Sequence, residues 1–464
     1  MDHDPASPYF VSQPAGQRVD LLALHQAFPS RYPYLLESVA QGTANARFDI
    51  LFAFPGETLE LTSLDELRLN GNSLANPDFL AQLDASWHAD RCPHIATSLP
   101  FFGGWFVYLG YELAGQIEPV LQLPTHHDEL PIAFATRIPA ALICDHYNDS
   151  LTLVAEHGNE ALLAAMMADL ERAARSPQVP VTAIKIALQE EAPERFLGGV
   201  QRSKDYILAG DIFQLNLSRI WHGVVADGIA PATLYDRLRR ANPAPFAGLI
   251  QYKDVAIISS SPERLLRCRG GRIDVRPIAG TRPRSRDRQV DQAFANSLLA
   301  HPKERAEHVM LIDLERNDLG RICQPGSIHV DELMVLESYT HVHHIVSNIA
   351  GELREGISPA QIIRAVFPGG TITGCPKVRC MQIIGELEQT PRGAYTGSAG
   401  YINRDGSMDL NILIRTLVLN QRHISLRAGA GIVADSEPLA ELAETRAKAQ
   451  GLVRALGIHG EDVW

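Results

Sequence analysis

The chain has 464 residues, an ordinary balance of 45% apolar and 21% charged side chains, and a formal net charge of −12. That length can bury a large core, and an acidic chain with no Lys/Arg block or basic helix argues against a nucleic-acid partner. No apolar run reaches the roughly 18–20 residues that a membrane span needs, and the acidic start MDHDPASPYF lacks an apolar signal core, so a cytoplasmic location away from membranes is expected.

In chain order, residues 1 to about 155 alternate strand-like runs with turns. These are ARFDILFAF, PFFGGWFVYLGYEL and ALICDHYNDSLTLVAEH, the last a hairpin turning at Asn148-Asp149. An alanine-rich amphipathic helix is expected over 160–175, and a boundary within 176–195 separates an N-terminal region, 1–175, from a second region, 195–458. Pro193 opens a helix ending at Gly210. Strands are expected around 211–221, 248–259, 263–269 and 272–277, then a helix from Pro302 to about Leu314. Strands follow near 327–335 and 342–353, then a helix over 358–366. Gly369, Gly370 and Gly374 form a loop before a helix beginning at Pro376. Hairpins cover 394–419 and 423–434, and a last helix runs from Pro438 to Leu456 with Ser436 as candidate N-cap. Strands outnumber helices and many are hairpin-linked, which predicts an α+β fold with antiparallel sheets.

Six cysteines, at 92, 144, 268, 323, 375 and 380, form no CxxC pair and read as buried thiols of a reducing compartment. His341, His343 and His344 cluster in an alternating, strand-like segment, which argues against a zinc site.

Four segments carry candidate chemistry. On the last helix Glu441, Glu444 and Lys448 share one face, with Leu439, Leu442, Ala449 and Leu452 packing. The preceding AGAGIVADS reads as a small-residue turn whose N–H groups could nest an anion. HPKERAEHVMLIDLERNDLGR is a helix with an apolar side (Ala306, Val309, Met310, Leu314) and Glu307 on the polar one. If Glu307 faced Glu441 and Glu444, the carboxylates could hold one Mg²⁺. FPGGTITGCPKVRCM is a Gly-rich loop entering a helix with Lys377 and Arg379; it does not fit GxxxxGK[ST], but it could cradle a carboxylate. DVRPIAGTRPRSRD is a turn with Gly280 and Thr281 flanked by Arg282, Arg284 and Arg286, donors for an anionic ligand.

These segments, together with GDIFQLNLS, SPERLL, HVHHIVS, RGAYTGSAGY and ILIRTL, resemble the chorismate-utilising family across roughly 195–455. The family includes the first components of anthranilate synthase and aminodeoxychorismate synthase, isochorismate synthase and salicylate synthase. YPYLLES and GGWFVYLGYEL extend the likeness to the N-terminal part of the two amine-forming members. The resemblance implies a large antiparallel two-sheet α/β sandwich with helices outside and the site in a cleft between the sheets. It implies Mg²⁺ on Glu307 and Glu444 with Glu441 beside them, bridging to chorismate. Tyr395, Arg415 and Gly429-Ala430-Gly431 match the pocket for the enolpyruvyl carboxylate, and Gly280, Thr281 and Lys448 match further substrate contacts. His344 matches a catalytic histidine and Glu263 a candidate general acid; Lys448 and Thr371 are placed with them.

Gln214 stands where the water-adding members have a lysine that acts as general base, which favours ammonia as nucleophile. Ala279 matches anthranilate synthase, whereas aminodeoxychorismate synthases have a nucleophilic lysine there. FPGGTITG, ARFDIL and the short segment between PIAGT and the Glu307 helix resemble aminodeoxychorismate synthase and weigh towards it. No cysteine lies in a GxCxG elbow, so ammonia is expected from a separate glutamine amidotransferase subunit or from solution; Cys375 reads as packing. Leu35, Leu36, Glu37 and Ser38 match a segment that forms a tryptophan pocket in anthranilate synthases, with Pro245 and Phe246 as partners. A non-catalytic subunit that kept the fold is the alternative class, and the chemically competent residues at every matched position argue against it.

Overall fold

The structure, a computed structural model, describes residues 8–14, 20–40, 46–125, 130–175, 186–285, 287–338 and 342–458, with backbone alone at 13, 14, 175, 279, 281, 283, 303 and 342. His341, Arg286, the side chains of Ala279 and Thr281, and the first half of the expected boundary segment lie outside that description.

Alternating apolar positions in the strands build two twelve-stranded sheets among the described residues. The first runs, edge to edge, Tyr9–Pro14, Ser150–Ala155, Ala140–Asp145, Phe48–Ala53, Tyr34–Glu37, Phe246–Tyr252, Val255–Ser261, Thr416–Asn420, His423–Ile432, Gln214–Val225 and Ile186–Glu190, with Gly374–Cys375 added on Gln214–Val225. The second runs Ile278–Pro283, Val342–Glu352, Arg272–Val275, Arg264–Arg269, Met408–Asn411, Ser398–Asn403, Gly104–Leu109, Ala133–Ile138, Thr58–Ser63, Glu66–Leu69 and Asn72–Ser73, with His329–Ser338 also on Val342–Glu352. Every pairing is antiparallel. In each sheet the strands from before residue 186 lie together on one side and the later ones on the other, and they meet where Tyr34–Glu37 pairs with Phe246–Tyr252 and Gly104–Leu109 with Ser398–Asn403.

The sheets face each other through an aromatic layer. Tyr34 stacks on Phe106 with ring centroids 4.1 Å apart, and Phe134 on Tyr252 at 4.8 Å. Helices cover the outer faces. Leu21–Ala27, Ala161–Arg175, Pro231–Ala241 and Pro438–Ala455 bury their apolar stripes against the first sheet. Phe79–Asp90, Pro302–Gly320 and Pro359–Val366 do so against the second. The expected α+β sandwich is the observed fold.

Several expectations need correction. The run 248–259 is two strands, because Lys253 adopts a left-handed φ of 50° in a tight turn between them. The helix from Pro302 extends to Gly320. Its sequence-assigned apolar side is only partly right: Leu314 is buried and Met310 half-buried, but Ala306 and Val309 are exposed, whereas His308, Glu315 and Asp318 are buried. Ser436 does not cap the last helix; Glu437 stands at that position without a side-chain bond, and the Ser436 hydroxyl instead accepts from the Val433 N–H. Leu439, expected to pack, is exposed. The AGAG segment is no turn or nest: it is strand, with its backbone committed to the ladder with Gln214–Val225.

Candidate active site

Burial dictates the chemistry of Glu263. It sits at the junction between Val255–Ser261 and Arg264–Arg269, one strand in each sheet. The Thr371 hydroxyl donates to its Oε1 at 2.7 Å. Loss of hydration pushes its carboxyl up to about 7, against the opposing pull of Thr371 and the nearby Lys448 charge. A carboxyl poised there can hold a proton at neutral pH and give it up.

Lys448 links this carboxyl to the last helix. Its Nζ donates to the Gly429 carbonyl at 3.0 Å and pairs with Glu444 Oε1 at 2.6 Å. Arg415, held at a left-handed φ of 53°, donates from Nη1 to the Lys448 carbonyl at 2.6 Å. Burial lowers the Arg415 pKa, and Tyr395 and Glu444 oppose that shift, so both lie within its field. His344 is buried, and its ring pKa falls to about 4, chiefly through desolvation, with Arg415 and Lys448 pushing the same way. Its Nδ1 lies 3.3 Å from the Gly280 carbonyl. A carbonyl can only accept, so Nδ1 carries the hydrogen and Nε2 is the acceptor. Electrostatic coupling therefore gathers Glu263, His344, Tyr395, Arg415, Glu444 and Lys448, drawn from both sheets and the last helix, into one neighbourhood.

Glycine supplies the close approaches. Gly280 sits at a register shift in its strand with φ +66°, and an added Cβ would meet Glu304 Oε2 at 2.7 Å. Thr281 pairs through its backbone register with His344. A Cβ at Gly429 would meet Asn216 Oδ1 and the Tyr395 hydroxyl, both at 2.7 Å, and one at Gly431 would meet Gln214 Nε2 at 2.7 Å. Ala430 points the other way, into an apolar cluster with Leu215 and Leu217.

The three proposed metal ligands lie on two helices. Glu441 and Glu444 are one turn apart on Pro438–Ala455, Glu441 being 9% exposed, and Glu307 is two turns before Glu315 on Pro302–Gly320. Among the described residues no group of three His, Cys, Asp or Glu side chains is placed to hold a metal ion. Magnesium does not require one: it takes one or two carboxylates and completes its shell with water and substrate oxygens, and these are hard oxygen donors of the right kind.

The charged side chains of the Gly-rich loop and the basic turn are engaged within the chain. The Gly370 N–H donates to Glu315 Oε1 at 3.2 Å, so the loop holds one of the chain's own carboxylates. Lys377 is committed to Asp318 and the Val366 carbonyl, and Arg379 to Asp211. Arg282 pairs with Glu304 at 3.1 Å and Arg284 with Asp291 at 2.9 Å. Burial raises the Glu315 carboxyl to about 7, and Asp318 and Glu263 add to the rise while Lys377 opposes it.

Two buried features escaped the sequence reading. Arg392 and Arg427 share the carboxylate of Glu388, and Arg392 also donates to the Ile372 and Asn216 carbonyls at 3.0 and 2.7 Å. That clamp ties the Thr371 loop, the Gln214–Val225 strand and the turn carrying Tyr395. Its sequence signal is slight: Glu388 is the last residue of the Lys377–Glu388 helix, and Arg392 follows four residues on, beyond the helix end. The second feature is the pair of Gln214 and Asn216 oxygens, taken up below.

Ser38, Pro245 and Phe246 do come together. With Leu36 and Glu37 they line a cavity of about 280 Å³ between the sheets, and the Ser38 hydroxyl donates to the Pro245 carbonyl at 3.1 Å. Leu35 faces the opposite side of its strand, into the core under the outer helices. Cys375 is partly buried and desolvation raises its thiol pKa, which suits packing and not nucleophilic attack. No helix among the described residues is long and apolar enough to cross a membrane.

The chorismate binding enzyme family matches residues 32–454. Aminodeoxychorismate synthase component 1 of Klebsiella aerogenes is 38% identical, over 97% of this chain and 99% of its own length. Anthranilate synthase component 1 of Thermus thermophilus is also 38% identical, over 91% and 92%. The crystal structure of anthranilate synthase component I from Streptococcus pneumoniae superposes with a TM-score of 0.79 at 31% identity, covering 89% of this chain and 93% of that one. The chain therefore belongs to the chorismate binding enzyme family and is an enzyme of the anthranilate and aminodeoxychorismate synthase component I type.

Proposed function

We propose that the protein is the synthase component of an aminodeoxychorismate synthase, which converts chorismate to 4-amino-4-deoxychorismate for para-aminobenzoate and folate synthesis. Ammonia comes from a separate glutamine amidotransferase subunit or from solution. The observation that carries the reading is Glu263: a buried carboxyl, held by Thr371, that keeps its proton up to about pH 7 beside the cationic pair Lys448 and Arg415. The cations offset the charge of a dianionic substrate in a desolvated site. Glu263 gives its proton to the departing ring hydroxyl, which leaves as water. The ammonia nitrogen supplies both electrons of the new C–N bond, and its surplus proton returns to the Glu263 carboxylate.

Gln214 supports ammonia over water, because a carboxamide cannot take a proton at neutral pH. Glu307 and Glu444, with Glu441 beside them, are the residues that would hold Mg²⁺. The ion supplies positive charge against the ring carboxylate of the substrate. The motifs FPGGTITG and ARFDIL support the 4-amino product. Ala279 favours a second reading, anthranilate formation, and under the first reading it means that ammonia attacks without a lysine adduct. The test is incubation with chorismate, Mg²⁺ and ammonium, followed by chromatography with and without added aminodeoxychorismate lyase. A product that becomes para-aminobenzoate only after the lyase acts is expected. Anthranilate formed directly would establish the second reading instead.

A further inference from the structure

Two carboxamides on the Gln214–Val225 strand are left incomplete. Gln214 Oε1 and Asn216 Oδ1 are both buried and accept no hydrogen bond. Buried acceptors without donors are uncommon, and each costs the hydration it gave up. Two such atoms two residues apart are not random packing defects, because alternate residues of a strand share one face. The next residue on that face, Ser218, is fully engaged by Glu388. Along that face the unpaired oxygens are those of Gln214 and Asn216; on the other face of the strand the buried Arg219 Nε also lacks a partner.

That face belongs to the substrate cleft. Gln214 Nε2 lies against Gly431, and Asn216 Oδ1 lies against Gly429 on the same side as the Tyr395 hydroxyl. On the opposite side of the strand pair, Leu215, Leu217 and Ala430 are packed in apolar core. The backbone around both amides is fixed: Asn216 N–H donates to the Thr373 carbonyl, its carbonyl accepts from Arg392, and the Gln214 carbonyl accepts from the Cys380 thiol. The backbone is thus fixed while both side-chain oxygens stay unspent.

We infer that Gln214 Oε1 and Asn216 Oδ1 form a two-point acceptor seat for the nitrogen nucleophile. This deepens the amination reading and rests on it. Ammonia has three N–H donors and one lone pair. Two N–H groups given to the two oxygens leave the lone pair free and restrict the directions in which it points. Neither oxygen can remove a proton, so the seat orients the nucleophile without acting as a base. Asn216 becomes, with Gln214, a specificity-determining residue for the nitrogen donor, separate from the residues that bind the ring and its carboxylates.

The test uses the full chain with Gln214→Met and Asn216→Leu, near-isosteric changes that delete the acceptors. The readouts are KM for ammonium at saturating chorismate, KM for chorismate at saturating ammonium, and thermal melting. The seat predicts that KM for ammonium rises about fivefold in each single variant and more in the double variant. KM for chorismate stays within about twofold, and the melting temperature holds or rises because a buried unpaired acceptor has been removed. A rise in KM for chorismate alone would assign the oxygens to a substrate hydroxyl and overturn the proposal, as would unchanged values for both. If Asn216→Leu does not fold, Asn216→Ser, which is smaller, is read by the same criteria. A wild-type protein that forms no amine from chorismate and ammonium would refute the amination reading itself, a result distinct from an unchanged KM in an active variant.

Discussion

Replacing Glu263 by Gln should stabilise the protein above neutral pH while removing most of its turnover. The carboxyl is 6% exposed and ionises near 7 in the folded chain, against 4.5 for an unburied glutamate. A carboxyl whose pKa is raised by folding contributes nothing adverse below pH 4.5. It then costs stability progressively as pH rises to about 7, and that cost is constant beyond. At 1.36 kcal/mol per pKa unit the full cost is about 3 kcal/mol. Glutamine has nearly the same shape, can accept the Thr371 hydroxyl, and has no proton to lose. Urea denaturation of both proteins should give similar stabilities at pH 4.5 and a variant more stable by about 3 kcal/mol at pH 8. Because the Glu263 charge raises the Glu315 carboxyl, part of the gain will appear as easier ionisation of Glu315. Turnover at pH 7 should fall by roughly 10²–10⁴-fold, the range for loss of a general acid, and wild-type turnover should decline as pH rises through 7. A stability gap that does not change with pH would refute the burial argument. A variant that keeps more than a tenth of wild-type turnover would refute the proton-donor role.

Two further outcomes are expected. Glu444→Ala should abolish turnover with the fold retained, because its side chain is 48% exposed and its ion pair with Lys448 contributes no more than about 1 kcal/mol; activity at saturating Mg²⁺ and circular dichroism melting check both halves, and an active variant would remove Glu444 as an essential metal ligand. Arg392→Ala should destabilise the chain by about 3–5 kcal/mol in urea denaturation, since it leaves the buried Glu388 carboxylate with one arginine instead of two. A loss under 1 kcal/mol would mean that Arg427 alone satisfies that carboxylate.

The motif residues that gather around Glu263 were legible in the sequence because each stands beside an unmistakable neighbour: SPERLL, RGAY, ILIRTL. Element types were legible wherever apolar period and turn residues agreed. The failures have one physical source. Periodicity detects apolar faces, but the Pro302–Gly320 helix turns His308, Glu315 and Asp318 inward. Those side chains bond to Ser347, the Gly370 N–H and Lys377, partners remote in the chain. The same holds for AGAG, where small residues suggested a turn, whereas their cross-strand partners on Gln214–Val225 make them strand. Two helices that were not foreseen, Phe79–Asp90 and Arg288–Ala300, did carry a local signal. Asp78 and Asp287 stand immediately before them and accept from their first-turn N–H groups.

The single seam between early and late strands within each sheet sets a constraint on synthesis. When the first 175 residues have left the ribosome, Gly104–Leu109 still lacks Ser398–Asn403 and Tyr34–Glu37 still lacks Phe246–Tyr252. Open apolar edges of that kind recruit other chains, and pairings so distant in sequence form late because their loops are costly to close. The nascent chain must therefore keep its early strands from associating until about 230 further residues are made. A fragment ending near residue 175 should aggregate, and one beginning near 195 should lack five strands from one end of each sheet.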